Sequence, residues 1–408
     1  MGLLDKFEAA RRTHDTLATL PQNPTDVVIE EVLGATEAMI QGRRTIMAGT
    51  NNYLGLTFDA EAIAAGQAAL ASCGTGTTGS RMANGTYRDH LLLEAELAAF
   101  FDTSYAMVFS TGYAANLGAL AALLAPGDAV LLDAEAHASL FDGCRLSGAD
   151  IFRFKHNDAD SLANRLRRLG ARAASALIVA EGLYSIRGDC APLAEFAQVK
   201  QEFGACLLVD EAHSLGLYGA HGRGLAEQEG VAREVDFIVG TFSKSLGSIG
   251  GFCVSQREEL ALFRYASRPY IFTASPCPSV IATTRVALRQ LSTRPELRER
   301  VWANAHRLYA ALTALGLELG PHVSPVVGIS LRERETAFAC WQGLFNAGVY
   351  TNLILPPAAP DGGSLIRCSV TAAHSTVQID AIIAAFTAVC ETRRLGRYAA
   401  GYKPGPEV

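Results

Sequence analysis

The chain has 408 residues, 49% of them hydrophobic, with 35 Lys and Arg against 41 Asp and Glu for a formal net charge of −6. That length is too great for one small core, and an acidic balance without any basic run excludes nucleic acid as a natural partner. Nine scattered cysteines, none in a C-x-x-C pair or at metal-ligand spacing from a histidine, fit a reducing cytoplasm and leave no expected metal.

Residues 1–50 read as an N-terminal arm: an amphipathic helix, a break at Pro21-Gln22-Asn23-Pro24 and a short extended stretch suited to lie over a dimer partner. Residues 51–280 alternate strands and helices. Apolar runs at 106–109, 129–133, 151–154, 176–181, 205–210, 236–241 and 250–254 lack the alternation of half-exposed strands, so they predict an α/β fold with a mostly parallel, doubly covered sheet. Residues 281–400 begin with long helical periodicity and then mix both element types, a smaller α+β C-terminal domain, and 401–408 form a Pro/Gly tail. The longest apolar run, Leu117 to Ala125, is far short of the ~20 residues a membrane-spanning helix needs.

Chemistry gathers at the ends of the predicted strands, where open α/β sheets bind ligands. After 106–109, Ser110-Thr111-Gly112-Tyr113 opens a helix to about Leu124, and the backbone N–H groups of Gly112 and Tyr113 suit an anion. His137 follows 129–133 and can lie flat on a ring, and Ser185 follows 176–181. The run 205–210 ends in Asp210-Glu211-Ala212-His213, an acid suited to a protonated pyridine nitrogen and an imidazole for a phenolic oxygen. Lys244, in Gly240-Thr241-Phe242-Ser243-Lys244-Ser245-Leu246-Gly247, stands among small, apolar and hydroxyl residues, the setting in which a desolvated amine forms a Schiff base. Thr241 and Ser243 add hydroxyl donors. The set matches pyridoxal 5'-phosphate group by group: amine to aldehyde, acid to ring nitrogen, helix start to phosphate.

These residues, with Asn51-Asn52-Tyr53-Leu54-Gly55, Thr78-Gly79-Ser80-Arg81, Asn84-Gly85-Thr86-Tyr87, His137-Ala138-Ser139 and Arg367-Cys368-Ser369, make the chain resemble the α-oxoamine synthase family of fold-type I pyridoxal phosphate enzymes over nearly its whole length. The resemblance implies that Lys244 carries the cofactor, Asp210 pairs its ring nitrogen and His137 stacks on the ring. It assigns His213 and Ser185 to the phenolic oxygen, and Gly112, Tyr113, Thr241 and Ser243 to the phosphate. It implies that Thr273 reaches the phosphate of a neighbouring subunit, hence a homodimer with shared sites, and that Asn52 and Arg367 contact the amino-acid substrate. Thr-Gly-Ser-Arg with Asn-Gly-Thr-Tyr, and Ser-Lys-Ser-Leu-Gly-Ser-Ile-Gly-Gly, are most like the bacterial members that condense L-serine with a long-chain acyl-CoA, releasing CoA and CO2. The stretch Leu355-Pro356-Pro357-Ala358-Ala359-Pro360 only approximates their proline-rich mobile loop and lacks its threonine.

Three other readings compete. A synthase using glycine or alanine would keep every cofactor residue, and an aminotransferase would use the same lysine. Gly74-Thr75-Gly76-Thr77-Thr78-Gly79 spells a dinucleotide fingerprint, but a helical pattern and not a buried strand precedes it. The amphiphilic product leaves peripheral membrane contact open.

Overall fold

The seven apolar runs form one seven-stranded sheet in the computed structural model, which describes residues 2–398 except 357, 360 and 361. Its order is Tyr105–Phe109, Gly251–Ser255, Phe237–Thr241, Cys206–Asp210, Leu177–Glu181, Ala129–Asp133 and Asp150–Phe154. Gly251–Ser255 runs antiparallel to both neighbours, and the remaining pairs are parallel. The five central strands are covered on both faces and read as continuous apolar runs, whereas the edge strand Asp150–Phe154 carries exposed Asp150 and Arg153, against the expectation of a buried run there. Leu131, Ile178, Leu207 and Val209 belong to one core, and Val130, Leu132, Val179 and Leu208 to the other.

Among the described residues, two smaller sheets flank this layer. Val326–Ser330 and Leu365–Ser369 pair antiparallel at the centre of one, with Glu318–Leu319 and Asn352–Ile354 outside them. Gly328 sits opposite Arg367, and a Cβ there would come within 2.7 Å of the Ile186 carbonyl. The bare strand thus lets the 185–187 segment approach Arg367 closely. The other small sheet holds Glu31–Val32, Glu37–Ile40 and Arg43–Met47, the last paired in parallel with Val349–Tyr350. The expected arm is therefore helix Glu8–Ala18 followed by strands that dock on the C-terminal part of the same chain. Pro357, Pro360 and the 401–408 tail lie outside the described residues. Among the described residues no helix is long and apolar enough to cross a membrane.

Candidate active site

A cavity of about 310 Å³ opens at the carboxyl ends of the parallel strands. Thr111, Gly112, Tyr113, His137, Asp210, His213, Thr241, Ser243 and Lys244 all line it, so four strand ends and one helix start converge as expected.

Lys244 follows the strand Phe237–Thr241 in a turn closed by Gly247, whose backbone lies at φ +60°. A Cβ on Gly247 would also stand 2.8 Å from the Thr57 amide nitrogen, so glycine alone fits both the angle and the space. Burial pushes the Lys244 ammonium down to about 8, helped by the Arg367 charge and opposed by Asp210 and Glu181. A neutral amine is thereby within reach near physiological pH.

Across the cavity, Asp210 is fixed through both oxygens. Oδ1 accepts the Ala212 N–H at 2.8 Å, and Oδ2 accepts from Asn116 Nδ2 at 2.7 Å. The same Asn116 amide lies 2.9 Å from Ser139 Oγ, which stands 2.7 Å from His137 Nδ1. The Ser139 N–H also donates to that nitrogen at 3.2 Å, so Nδ1 is an acceptor and the ring N–H is on Nε2. A further acid enters from the neighbouring strand: Glu181, paired in register with Asp210, accepts the His137 backbone N–H at 2.5 Å. Burial first, and then the Asp210 charge, push Glu181 well above the usual carboxylate range.

The helix Gly112–Leu123 begins against this lysine strand. Thr111 caps it by accepting the Ala114 N–H at 2.9 Å, and Gly112 and Tyr113 of its first turn line the cavity. A Cβ on Gly112 would lie 2.8 Å from Thr241 Oγ1, so glycine permits the contact that brings helix start and hydroxyls together. Thr241 and Ser243 hydroxyls are 2.9 Å apart. Amine, acid, two imidazoles, hydroxyls and helix start thus fit the groups of pyridoxal phosphate, in a volume at the lower end of small-molecule sites.

Four expected residues do not line the cavity. Arg367 is buried beside it, donating from Nε to the Ser185 carbonyl at 2.6 Å and from Nη2 to Asn51 Oδ1 at 2.8 Å and Tyr53 Oη at 3.2 Å. Ser185 meets Arg367 through its backbone, because the chain folds back there: the Tyr184 N–H bonds the Asp189 carbonyl and Leu183 bridges Cys190. Asn52 Nδ2 donates to Thr57 Oγ1 at 2.8 Å. Thr273 lies in a separate crevice with Arg81, Ser110 and Tyr270. Sequence reasoning gave Asn116 and Glu181 no role and met Ser139 only within the stretch His137-Ala138-Ser139.

The family model described as aminotransferase class I and II matches residues 45–386. The chain belongs to the aminotransferase class I and II family. Within this family it is 55% identical over 383 residues to a serine palmitoyltransferase of Caulobacter vibrioides, covering 94% of this chain and 95% of that protein. It is 48% identical to a serine palmitoyltransferase of Sphingomonas paucimobilis, covering 95% and 92%. A lysine-to-alanine variant of the S. paucimobilis enzyme, solved with a bound PLP–myriocin aldimine, superimposes with a TM-score of 0.95 at 45% identity, over 97% of this chain and 100% of that one. The family's fold is therefore the one expected from the apolar runs: a mostly parallel central sheet flanked by helices.

Proposed function

We propose that the chain is a pyridoxal phosphate-dependent acyltransferase that condenses L-serine with a long-chain acyl-CoA, palmitoyl-CoA above all, to 3-ketodihydrosphingosine, CoA and CO2. The observation that carries this reading is the Lys244 amine and the Asp210 carboxylate lining one cavity together with His137 and His213. The likeness to serine palmitoyltransferases supports the choice of serine over glycine or alanine.

When bound, pyridoxal phosphate supplies an aldehyde for an amine and a ring that takes up the negative charge left by a departing α-proton or CO2. Lys244 is assigned to hold the aldehyde and, once serine has displaced it, to remove the α-proton and return one after decarboxylation. Asp210, fixed by Asn116 and the Ala212 amide, is assigned to keep the ring nitrogen protonated. His137 is assigned to the ring face, and His213 to the phenolic oxygen. The Gly112 and Tyr113 amides with the Thr241 and Ser243 hydroxyls are assigned to the phosphate. Arg367 is assigned to the serine carboxylate: its Nη1 makes no hydrogen bond among the described residues and is left for a ligand. Asn52 is assigned to the substrate side, and Ser185 serves through the carbonyl that orients Arg367.

Thr273 lies outside the cavity in its own protomer, consistent with service to a second copy. The reading is therefore of a cytoplasmic homodimer, with 51–280 as the cofactor unit and 281–400 as the smaller one. The deciding experiment incubates purified protein and cofactor with serine, glycine or alanine, with and without palmitoyl-CoA, and measures free thiol. Thiol release with serine alone is expected. Release with glycine or alanine instead, or a keto acid without thiol, would assign a different synthase or an aminotransferase.

A further inference from the structure

Tyr53 carries no assigned role, yet its hydroxyl reaches both His213 and Arg367. Its hydroxyl lies 2.7 Å from His213 Nδ1 and 3.2 Å from Arg367 Nη2, and the whole residue is 0% exposed. Its partners come from distant parts of the chain: His213 follows the strand Cys206–Asp210, and Arg367 sits on Leu365–Ser369.

Donor counting and bond length together give this relay a direction. A guanidinium only donates, so the Tyr53 oxygen accepts from Arg367 and has one proton left to give. Two acceptors compete for it. Asn51 Oδ1 is 3.3 Å away and already takes an Arg367 N–H at 2.8 Å, whereas His213 Nδ1 stands at 2.7 Å, the normal length of a strong bond from a hydroxyl. The shorter contact favours donation from Tyr53 to Nδ1. His213 is held neutral by burial and by the facing charges of Lys244 and Arg367, with His137 adding in the same sense, so it has a single N–H. With Nδ1 accepting, that hydrogen is on Nε2, the nitrogen left for the cavity.

We propose that Tyr53 is a positioning residue that fixes His213 as its Nε2–H tautomer and links it, through one hydroxyl, to Arg367. This deepens the reading of the site given above and rests on it. A fixed Nε2–H donates to the phenolic oxygen of the cofactor and favours the form in which that oxygen has given up its proton. Occupation of Arg367 by a carboxylate draws on the same guanidinium that polarises the Tyr53 hydroxyl. Arrival of the amino acid is thus felt at His213 without any movement of the backbone.

The test is nitrogen-15 NMR of histidine-labelled protein, with His213 assigned by its loss in His213→Gln, recorded without and with pyridoxal phosphate. The unsubstituted protein is expected to show a protonated Nε2 and a lone pair on Nδ1. Tyr53→Phe keeps the ring and removes the hydroxyl. It is expected to give a mixed or reversed tautomer, and the long-wavelength band of the bound cofactor should lose intensity to the form that keeps its phenolic proton. Its kcat should fall about tenfold, the worth of one buried hydrogen bond, while KM for serine moves less than about threefold because Arg367 keeps Asn51 and Ser185.

An Nδ1–H tautomer in the unsubstituted protein would overturn the proposal even if Tyr53→Phe failed to fold. So would an unchanged tautomer and band in that variant. If the unsubstituted protein forms no coloured adduct with pyridoxal phosphate, the reading of the whole site fails, a result distinct from failure of the relay alone.

Discussion

Asn116 donates from Nδ2 to Asp210 Oδ2 at 2.7 Å, joining the helix whose first turn is assigned to the phosphate to the carboxylate assigned to the ring nitrogen. Both residues are buried, and a hydrogen bond to an ionised group in such a place is worth about 1.5–3 kcal/mol. Asn116→Ala is expected to weaken cofactor affinity by roughly one to two orders of magnitude, read by titrating cofactor-free protein with pyridoxal phosphate. Circular dichroism should stay unchanged, because the substitution removes the side-chain bonds to Asp210 and Ser139 and leaves the backbone of the helix intact.

A second prediction concerns the amine itself. Lys244 is pushed down to about 8, so below that pH the charged, unreactive form dominates. The rate at which cofactor-free protein captures pyridoxal phosphate should therefore rise about tenfold per pH unit up to about 8 and then level off. Stopped-flow absorbance measures it directly. A rate still climbing beyond pH 10 would mean that the amine has the pKa of an exposed lysine.

His156 predicts a pH-dependent clamp between the 133–135 segment and Asp189. Its Nδ1 lies 2.8 Å from Asp133 Oδ1 and its Nε2 2.6 Å from Asp189 Oδ2, with Glu135 at 3.8 Å. Burial pushes the imidazole down, but the bonds to Asp133 and Asp189 and their charges together more than reverse it and raise it to about 10. A folded value above the unfolded ~6.5 means that this stabilisation is complete below about pH 6.5 and is lost as pH rises toward 10. His156→Gln should lower stability at pH 6 by about 3 kcal/mol, since two buried carboxylates lose their cation, and by much less at pH 10. Urea melts at both values check the sign.

Arg367→Lys keeps the positive charge and loses the planar fork. The bonds to the Ser185 carbonyl, Asn51 and Tyr53 cannot all be reproduced by one ammonium. KM for serine is expected to rise about tenfold or more, while the spectrum of the bound cofactor with no amino acid present stays close to that of the unsubstituted protein. An unchanged KM would remove Arg367 from the carboxylate site.

The legible part of this protein was the part that depends on local pattern. Each sheet strand lies within about a residue of its expected run, because the central strands are covered on both faces and apolar throughout, while the edge strand Asp150–Phe154 keeps Ile151, Phe152 and Phe154 around an exposed Arg153. His137, Asp210, His213 and Lys244 follow from the same logic, standing where such runs end. Glu181, Asn116 and Tyr53 were not found as partners because a hydrogen bond across 44, 94 or 160 positions leaves no mark on the neighbouring sequence. Ser185 shows the limit from the other side. Its place after a strand was read correctly, but the turn through Tyr184 and Asp189 offers Arg367 its carbonyl and keeps the side chain out of the cavity lining.

The central claim is that one lysine of five carries the cofactor. Borohydride reduction of the protein with pyridoxal phosphate, followed by proteolysis and mass spectrometry, tests it most directly by making the linkage permanent. The expected result is one cofactor mass per chain on the peptide containing Lys244, and none in Lys244→Ala. Label on Lys6, Lys155, Lys200 or Lys403 instead, or no label at all, would contradict the account.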